Sequence, residues 1–279
     1  MPALPRVRLD ELVLLKGLAQ SRSAARGLIM AGLVSVNGVV SDKAGSQVRP
    51  DVEVTVAQRP RYVSRGGDKL ERALLAFSIG VTGQDALDIG ASTGGFIDCL
   101  LQAGAARVVG VDVGRGQLDS RLRNDSRVSL LEKVNARYLT PDLLPFVPQL
   151  LTMDVSFISV AKVLPAVMAC MEAVCTGVIL IKPQFEARRA QVGKGGIVRA
   201  SEVHREVLSR LGQFVVNELD ANLINMTDSG LPGTDGNVEF FFHIGRGGEK
   251  CHGLDTLEEL VEKTMAGVSK GAGDNNEGS

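Results

Sequence analysis

From residue 69 onward, short apolar runs alternate with segments of helical periodicity, and this alternation constrains the fold more than any other feature of the chain. The runs contain mainly Val, Ile and Leu, which is typical of parallel strands covered by helices on both faces. They span residues 86–89, 107–112, 128–131, 150–154, 178–181, 223–226 and 238–244. We therefore predict an α/β fold with a Rossmann-like, doubly wound and mostly parallel sheet, whose last two strands form a hairpin.

The first 59 residues follow a different pattern and predict a small α+β unit. Helical periodicity covers residues 9–18, and a second helix follows the start signal at 21–23. A strand over 34–36 turns at Asn37-Gly38, which is a strong hairpin signal. So small a unit buries little core, which indicates a role in surface contact.

The predicted boundaries divide the chain into four parts. They are the small unit (1–59), a linker (60–68), the sheet domain (69–248) and a C-terminal helix with a flexible tail (249–279). The linker is placed where Pro60 and Gly66-Gly67 interrupt the periodicity. The C-terminal helix is expected near 257–265, and residues 270–279 are expected to be disordered because they are polar and rich in glycine.

The net charge of −1 conceals an uneven distribution of charged residues. Residues 1–72 hold 12 Lys and Arg against 7 Asp and Glu, a net charge of +5, and the remainder holds 19 against 25, a net charge of −6. A basic first segment indicates contact with nucleic acid.

Several sequence features favour a cytoplasmic protein. The four cysteines show no CxxC spacing, which predicts buried free thiols in a reducing compartment. No signal peptide is visible in the first twenty residues. The most apolar stretch, residues 164–181, is interrupted by Glu172 and Thr176-Gly177, so it predicts a helix and a strand and not a membrane span.

A glycine-rich segment, DIGASTGGF at residues 88–96, follows the first strand of the sheet domain. Glycines let the backbone approach a ligand, and the helix that follows offers free N–H groups. Asp112 ends the second strand, where its carboxylate can accept hydrogen bonds from the two hydroxyls of an adenosine ribose. The segment matches neither G-x-G-x-x-G nor the phosphate-binding loop of NTPases, which disfavours a nicotinamide dinucleotide or a nucleoside triphosphate.

Four charged residues lie near the ends of apolar segments: Lys69, Asp154, Lys182 and Glu239. Because ligands of an open α/β sheet bind beyond the carboxyl ends of its strands, these side chains are expected to lie near the ligand. Buried charges are costly unless they are paired, so two lysines and two carboxylates together predict a catalytic cluster.

Two known families resemble this chain in these motifs. The pattern RLD at 8–10, SRSAAR at 21–26, GLVSVNG at 32–38 and Lys43 resembles an S4-type RNA-binding domain. The glycine-rich segment with the four charged residues looks like the FtsJ-type ribose 2′-O-methyltransferases and their K-D-K-E tetrad. More closely, SRGGDK at 64–69, DVSFIS at 154–159, KPQFE at 182–186 and residues 193–198 resemble the TlyA, or hemolysin A, family.

The resemblance implies an S-adenosylmethionine-dependent 2′-O-methyltransferase of ribosomal RNA. Its substrate would be cytidine ribose in 23S ribosomal RNA, with 16S ribosomal RNA as a second candidate. The implied catalytic residues are Lys69, Asp154, Lys182 and Glu239. The implied cofactor-binding residues are Asp88, Gly90, Ser92, Thr93, Gly94, Gly95, Phe96, Asp112 and Asp154. The residues expected to contact RNA phosphates are Arg6, Arg8, Arg22, Arg26, Lys43 and Arg65.

In the expected mechanism, Lys182 orients the ribose hydroxyl and takes its proton, helped by the neighbouring cation Lys69 and by partial burial. Glu239 and Asp154 hold the two lysines in place. No metal is expected, because the three histidines lack ligand-like spacing. The loop over 184–199 carries several cations, and it is either a mobile lid or a plain surface loop.

Three other functions fit the sequence less well. A noncatalytic RNA-binding ribosome-assembly factor would not need an intact tetrad. A secreted pore-former, as the hemolysin label suggests, would need a signal peptide and membrane-spanning segments. A methyltransferase for proteins or small molecules would not need a basic RNA-binding unit.

Overall fold

The computed structural model of the chain describes residues 5–57, 60–219, 221–233, 235–247 and 257–273. The chain divides into two compact units, Met1–Arg61 and Tyr62–Ser279. No helix within those described ranges is both long and apolar enough to cross a membrane.

The first unit packs two short helices against small antiparallel sheets. Its elements are β1 (Val7–Arg8), α1 (Leu9–Leu15), α2 (Arg22–Met30), β2 (Val34–Val36), β3 (Val39–Val40), β4 (Gln47–Val48) and β5 (Val54–Val56). Asn37 and Gly38 both have positive φ, as the predicted two-residue hairpin turn requires. Helix α1 ends before the predicted residue 18, because Gly17 adopts a φ of +71° and breaks the helical path.

The second unit alternates strands with helices. Its elements are α3 (Arg65–Ala76), β6 (Asp85–Ile89), α4 (Gly95–Gln102), β7 (Arg107–Asp112), α5 (Ser120–Arg123), β8 (Val128–Glu132), β9 (Leu150–Met153), α6 (Leu164–Met168), β10 (Cys175–Ile181), α7 (Pro183–Glu186), α8 (Ser201–Glu218), β11 (Asn222–Asp228), β12 (Phe240–Arg246) and α9 (Leu257–Gly273).

The seven strands of the second unit form one sheet in the order β11-β12-β10-β9-β6-β7-β8. Strands β6 to β10 run parallel, and β12 pairs antiparallel with both β10 and β11. The strand order reverses between β6 and β9, and the carboxyl ends of these strands border the crevice where such sheets bind ligands. The predicted Rossmann-like fold and its final antiparallel hairpin are confirmed.

Helices cover both faces of this sheet, which is why its central strands β9 and β10 are apolar at most positions. On β10, Val178 and Leu180 join the cluster that contains α3 and α4. Ile179 and Ile181 join the opposite cluster, with α6, α8 and α9. All four residues are buried, as expected for a strand enclosed between two helical layers.

Three predicted boundaries differ from the structure. Helix α3 begins at Arg65, so the second half of the predicted linker over 60–68 is helical. The last strand begins at Phe240 instead of residue 238, and Glu239 directly precedes it. Helix α9 continues to Gly273, into the segment predicted to be disordered, while 274–279 lies outside the described residues.

Candidate active site

Two adjoining cavities open at the carboxyl edge of the sheet. The larger, about 500 Å³, lies beyond β6, β7 and β9 and is lined by Asp112, apolar side chains and the segment after β9. The smaller, about 220 Å³, is lined by Lys69, Lys182 and Glu239 and by the start of α3 and α4. Gly90, Ser92 and Asp154 line both cavities. A ligand in the larger cavity therefore reaches the charged residues of the smaller one.

The glycine-rich segment bends sharply between β6 and α4. Gly90, Ser92 and Gly94 all have positive φ, at +88°, +45° and +96°. A Cβ atom on Gly90 would lie 2.1 Å from the carbonyl oxygen of Asp154. Only glycine fits there, because the end of β6 and the segment after β9 approach each other too closely for a side chain.

Asp112 shapes this segment as well as lining the larger cavity. Its Oδ2 accepts a hydrogen bond from the Ser92 backbone N–H at 2.7 Å, and its Oδ1 accepts one from the Gly114 N–H at 2.6 Å. Each carboxylate oxygen can accept more than one bond, so these contacts leave room for ligand hydroxyls. The carboxylate ties the glycine-rich segment to the end of β7.

Lys69 and Glu239 form a buried ion pair at the smaller cavity. The Lys69 ammonium donates to Glu239 Oε2 at 2.5 Å, and the two residues are 8% and 3% exposed. Desolvating two charges is expensive unless they are directly paired, as they are here. The pair therefore holds the ammonium of α3 at the carboxyl edge of the sheet.

Lys182 faces the segment that follows β9. Its Nζ lies 2.5 Å from Asp154 Oδ1 but outside hydrogen-bond geometry, and that buried oxygen has no other partner in the described chain. The ammonium donates instead to Ser156 Oγ at 3.0 Å. The four tetrad residues thus form two lysine–carboxylate pairs around one cavity.

The structure separates two predicted cofactor residues from the cavities. Asp88 is buried beneath the loop, where its Oδ1 accepts a bond from the Thr152 hydroxyl at 2.7 Å and its Oδ2 has no partner within the described ranges. Gly94 packs toward Leu118 and Leu122. The other predicted residues of the segment line the smaller cavity: Gly90, Ser92, Thr93, Gly95 and Phe96.

Asp88 makes folding stability depend on pH. Burial raises the pKa of Asp88 to about 7, and the carboxylates of Asp154 and Asp112 add to the rise, whereas the Thr152 hydrogen bond opposes it. The unfolded chain loses this proton near the ordinary aspartate pKa of about 4, so the folded state binds more protons over the interval up to pH 7. The contribution of Asp88 to stability therefore falls as the pH rises through that interval.

Replacing Asp88 with Asn should relieve this effect, because an amide accepts the Thr152 bond but cannot ionise. The free energy of unfolding of Asp88→Asn, minus that of wild type, should become more positive by about 2 kcal/mol between pH 5 and pH 8. Urea unfolding of the cofactor-free protein at both pH values measures this, with the exposed Asp142→Asn as the control. A difference that is the same at both pH values would contradict the prediction.

The predicted RNA-binding cations of the first unit fall into two groups. Arg6, Arg26 and Lys43 are exposed. Arg22 is exposed too, but it and the half-buried Arg8 contact the buried carboxylate of Asp10, at 3.3 and 2.9 Å. The Arg8 hydrogen bonds lower the pKa of Asp10 to about 2, so this carboxylate stays charged and fixes both guanidinium groups. In the second unit, Arg65 is exposed at the smaller cavity.

The basic loop between α7 and α8 is held from two sides. The buried side chain of Asn237 accepts a hydrogen bond from Val198 N–H at 2.9 Å and donates one to the Gly196 carbonyl at 3.0 Å. The ring of the buried His204 lies 3.1 Å from the Val198 carbonyl. These contacts favour a fixed surface loop over a mobile lid.

Two features of the site were not predicted from the sequence, although they involve residues of the DVSFIS and KPQFE motifs. Phe157 has a φ of +65°, which is strained for an aromatic residue, and it is 90% exposed at the larger cavity. Its ring centroid lies 4.9 Å from that of Phe185. Glu186 is buried and bonds to the segment after β9. A single sequence contains no pattern from which the φ angle of Phe157 or the contact of Glu186 with a distant segment could be predicted.

Comparison with known proteins agrees with this geometry. The family model of S4 domains matches residues 7–54, and that of FtsJ-like methyltransferases matches residues 62–246. This chain belongs to the FtsJ-like methyltransferase family. It is also 42% identical, over 94% of its length and 98% of the relative's, to the 16S/23S rRNA (cytidine-2′-O)-methyltransferase TlyA of Mycobacterium tuberculosis.

Two further relatives carry a different name. Hemolysin A of Brachyspira hyodysenteriae is 41% identical, over 85% of this chain and 99% of that protein. A solved structure of a hemolysin candidate from Streptococcus thermophilus has a TM-score of 0.74 and 39% identity, and the match covers 99% of this chain and 100% of that one. The predicted membership of the TlyA, or hemolysin A, family is confirmed.

The protein is therefore a methyltransferase that uses S-adenosylmethionine. The larger cavity fits this cofactor, since it combines apolar walls from Val111 and Ile158 with the carboxylate of Asp112. Its volume of about 500 Å³ lies within the usual range for cofactor sites. Gly90 lets the end of β6 approach the Asp154 backbone closely, and these two residues line both cavities together.

Proposed function

We propose that this methyltransferase modifies the ribose 2′-hydroxyl of cytidine in ribosomal RNA of the large subunit, with the small subunit as a second substrate. The convergence of Lys69, Asp154, Lys182 and Glu239 around one cavity carries the proposal. The name of the Mycobacterium tuberculosis relative supports cytidine as the target nucleotide and the 16S and 23S ribosomal RNAs as substrates. Because ribosomal RNA is the proposed substrate, we also propose that the protein acts in the cytoplasm.

The proposed cofactor contacts are those of the larger cavity and the glycine-rich segment. Asp112 would accept the ribose hydroxyls of the cofactor, and Gly90 and Ser92 would let its chain cross toward Asp154. Bound S-adenosylmethionine supplies an activated methyl group. The segment from Thr93 to Phe96 would border the methionine end of the cofactor, in the smaller cavity.

The tetrad would act on the RNA hydroxyl. Lys182 would orient the 2′-hydroxyl and, in its neutral amine form, receive its proton, and Asp154 and Ser156 would hold the lysine in position. Lys69, fixed by Glu239, would add positive charge where the oxygen becomes more negative. Holding both reactants in one cavity can lower the barrier by roughly 7–11 kcal/mol.

The first unit would supply most of the phosphate contacts. Arg6, Arg26 and Lys43 are exposed, and Asp10 holds Arg8 and Arg22 in fixed positions. Backbone charge provides most of the affinity of such units for RNA, so binding should weaken as salt is raised. Arg65 would add a contact beside the catalytic cavity.

Phe157 offers a flat surface for the target base. Enzymes that modify a paired or stacked nucleotide must extrude it, and exposed aromatic rings stack on the extruded base. Stacking contributes about 1–3 kcal/mol per base, so Phe157→Ala should raise the KM for RNA by about 10- to 100-fold. The Kd for S-adenosylmethionine should change by less than about threefold, since the ring is 90% exposed at the larger cavity and its loss leaves the contacts of Asp112 and the glycine-rich segment in place.

Steady-state kinetics on ribosomal subunits would measure this, with Phe157→Tyr and Val174→Ala as controls. Tyrosine keeps the stacking surface, and Val174 is exposed near the amino end of β10. A KM for RNA that stays within twofold of wild type in Phe157→Ala would contradict the proposed stacking.

The function itself is tested by methyl transfer from radiolabelled S-adenosylmethionine to isolated ribosomal subunits. We expect label on cytidine ribose of the large subunit, located by nuclease digestion and primer extension. RNA and cofactor binding without any transfer would favour the noncatalytic assembly factor instead. Label on a base rather than a ribose would reject the 2′-hydroxyl as the acceptor.

A further inference from the structure

We propose that Glu186 is a positioning residue that sets the distance between Lys182 and the segment carrying Asp154 and Ser156. The inference rests on the proposed function for its kinetic consequence, but its structural consequence can be measured separately. Glu186 ends the short helix α7, which begins directly after Lys182. Glu186 therefore follows Lys182, whose position it would control, by one helical turn.

The Glu186 carboxylate joins α7 to the segment after β9. Its Oε1 accepts a hydrogen bond from the Val160 backbone N–H at 2.7 Å, and its Oε2 accepts one from the Ser159 hydroxyl at 2.7 Å. Ser159 caps the turn that begins at Val160 by accepting from the Ala161 N–H. One side chain thus fixes the end of the segment that starts at Asp154.

Helix α8 holds Glu186 from the other side. Arg210 donates to the Glu186 backbone carbonyl at 2.8 Å, and its guanidinium lies 3.6 Å from Glu186 Oε2. The carboxylate side chain is only 1% exposed. A buried carboxylate with three donors around it has little freedom to move, because each displacement leaves a polar group unsatisfied.

Glu186 joins the two segments that carry the contact between Lys182 and its partners. Lys182 precedes α7, and its partners Asp154 and Ser156 lie three to five residues before Ser159. Without the Glu186 bonds, both ends could shift independently, and the ammonium would lose its fixed contact with Ser156. Displacements of about 1 Å are enough to reduce turnover by about 100-fold when reacting groups must be aligned.

The test compares Glu186→Ala with Glu186→Gln and with the exposed Glu218→Ala. Glutamine keeps an acceptor for the Val160 N–H and can donate to the Ser159 hydroxyl, so it should retain kcat within about threefold. Glu186→Ala should lower kcat by about 10- to 100-fold while the Kd for S-adenosylmethionine and the KM for RNA stay within about threefold. Should Glu186→Ala fail to fold, Ser159→Ala takes its place: it removes one of the two segment bonds to Glu186, together with the Ala161 cap, and should lower kcat by an intermediate amount.

Hydrogen–deuterium exchange on the same variants gives a result that does not depend on methyl transfer. Glu186→Ala should speed exchange of the segment over 155–162, with no change in strand β10. Equal exchange in wild type and Glu186→Ala, or equal kcat, would overturn the proposal. Faster exchange throughout the chain, with cofactor binding lost in parallel, would also overturn it, since Glu186 would then be needed only for folding. If the wild-type protein modifies no RNA, the proposed function is rejected. Faster exchange confined to 155–162 in Glu186→Ala would still support the positioning role in that case.

Discussion

Replacing Lys182 with alanine is expected to lower kcat for methyl transfer to ribosomal subunits by about 1000-fold. The variant removes the amino group that contacts both Asp154 and Ser156, and with it the group that would orient the ribose hydroxyl and, as the neutral amine, take its proton. Binding of S-adenosylmethionine should weaken far less than turnover, because Lys182 lines only the smaller cavity and the larger cavity, with Asp112, does not include its side chain. Single-turnover kinetics and calorimetric cofactor binding measure the two effects separately.

Two variants keep this result interpretable. Lys162→Ala removes an exposed lysine outside both cavities and should keep wild-type activity. Lys182→Arg keeps the positive charge but cannot give up its proton, so it separates charge from proton transfer. Activity in Lys182→Ala within tenfold of wild type would exclude Lys182 as the group that takes the proton.

Replacing Gly90 with alanine is expected to weaken S-adenosylmethionine binding by about 100-fold or more. The added methyl group would overlap the Asp154 carbonyl at 2.1 Å, and alanine tolerates a φ of +88° poorly. The overlap must push the glycine-rich segment away from β9, which distorts both cavities at once. Isothermal titration with S-adenosylmethionine and its product measures the loss.

Gly83→Ala is the matched control for this variant. Gly83 has a φ of +76°, but a Cβ atom there has no neighbour within 4 Å. It therefore introduces similar backbone strain, of order 1 kcal/mol, without the collision. If both variants weakened cofactor binding equally, strain or general destabilisation would explain the effect, and the close approach of Gly90 to Asp154 would not.

The sequence by itself determined the architecture and most of the cofactor loop. Short, almost wholly apolar runs indicate strands that are buried on both faces. Their alternation with helices indicates a mostly parallel sheet between two helical layers. The same reasoning placed Asp112, Asp154 and Lys182 at strand ends, since a charge directly after a buried strand must emerge at the edge of the sheet. Gly90 and Gly94 were predictable for a related reason, because a turn between a strand and a helix that passes close to a ligand needs positive φ.

Only the tertiary structure decided which charged groups face the cavity and which partners hold them. Lys69 and Glu239 are 170 residues apart in sequence, and their pairing depends on α3 packing beside the last strand. Asp88 belongs to the same motif as Gly90, but it lies within β6 directly opposite Thr152 of the neighbouring strand β9 and bonds to that residue, whereas Gly90 follows the end of the strand. Glu186 joins α7 to the segment after β9 through side-chain contacts across the fold. Local periodicity determines which segments become strands or helices and which side of each is buried. Contacts between distant segments depend on how the layers pack, and that packing is a property of the whole chain.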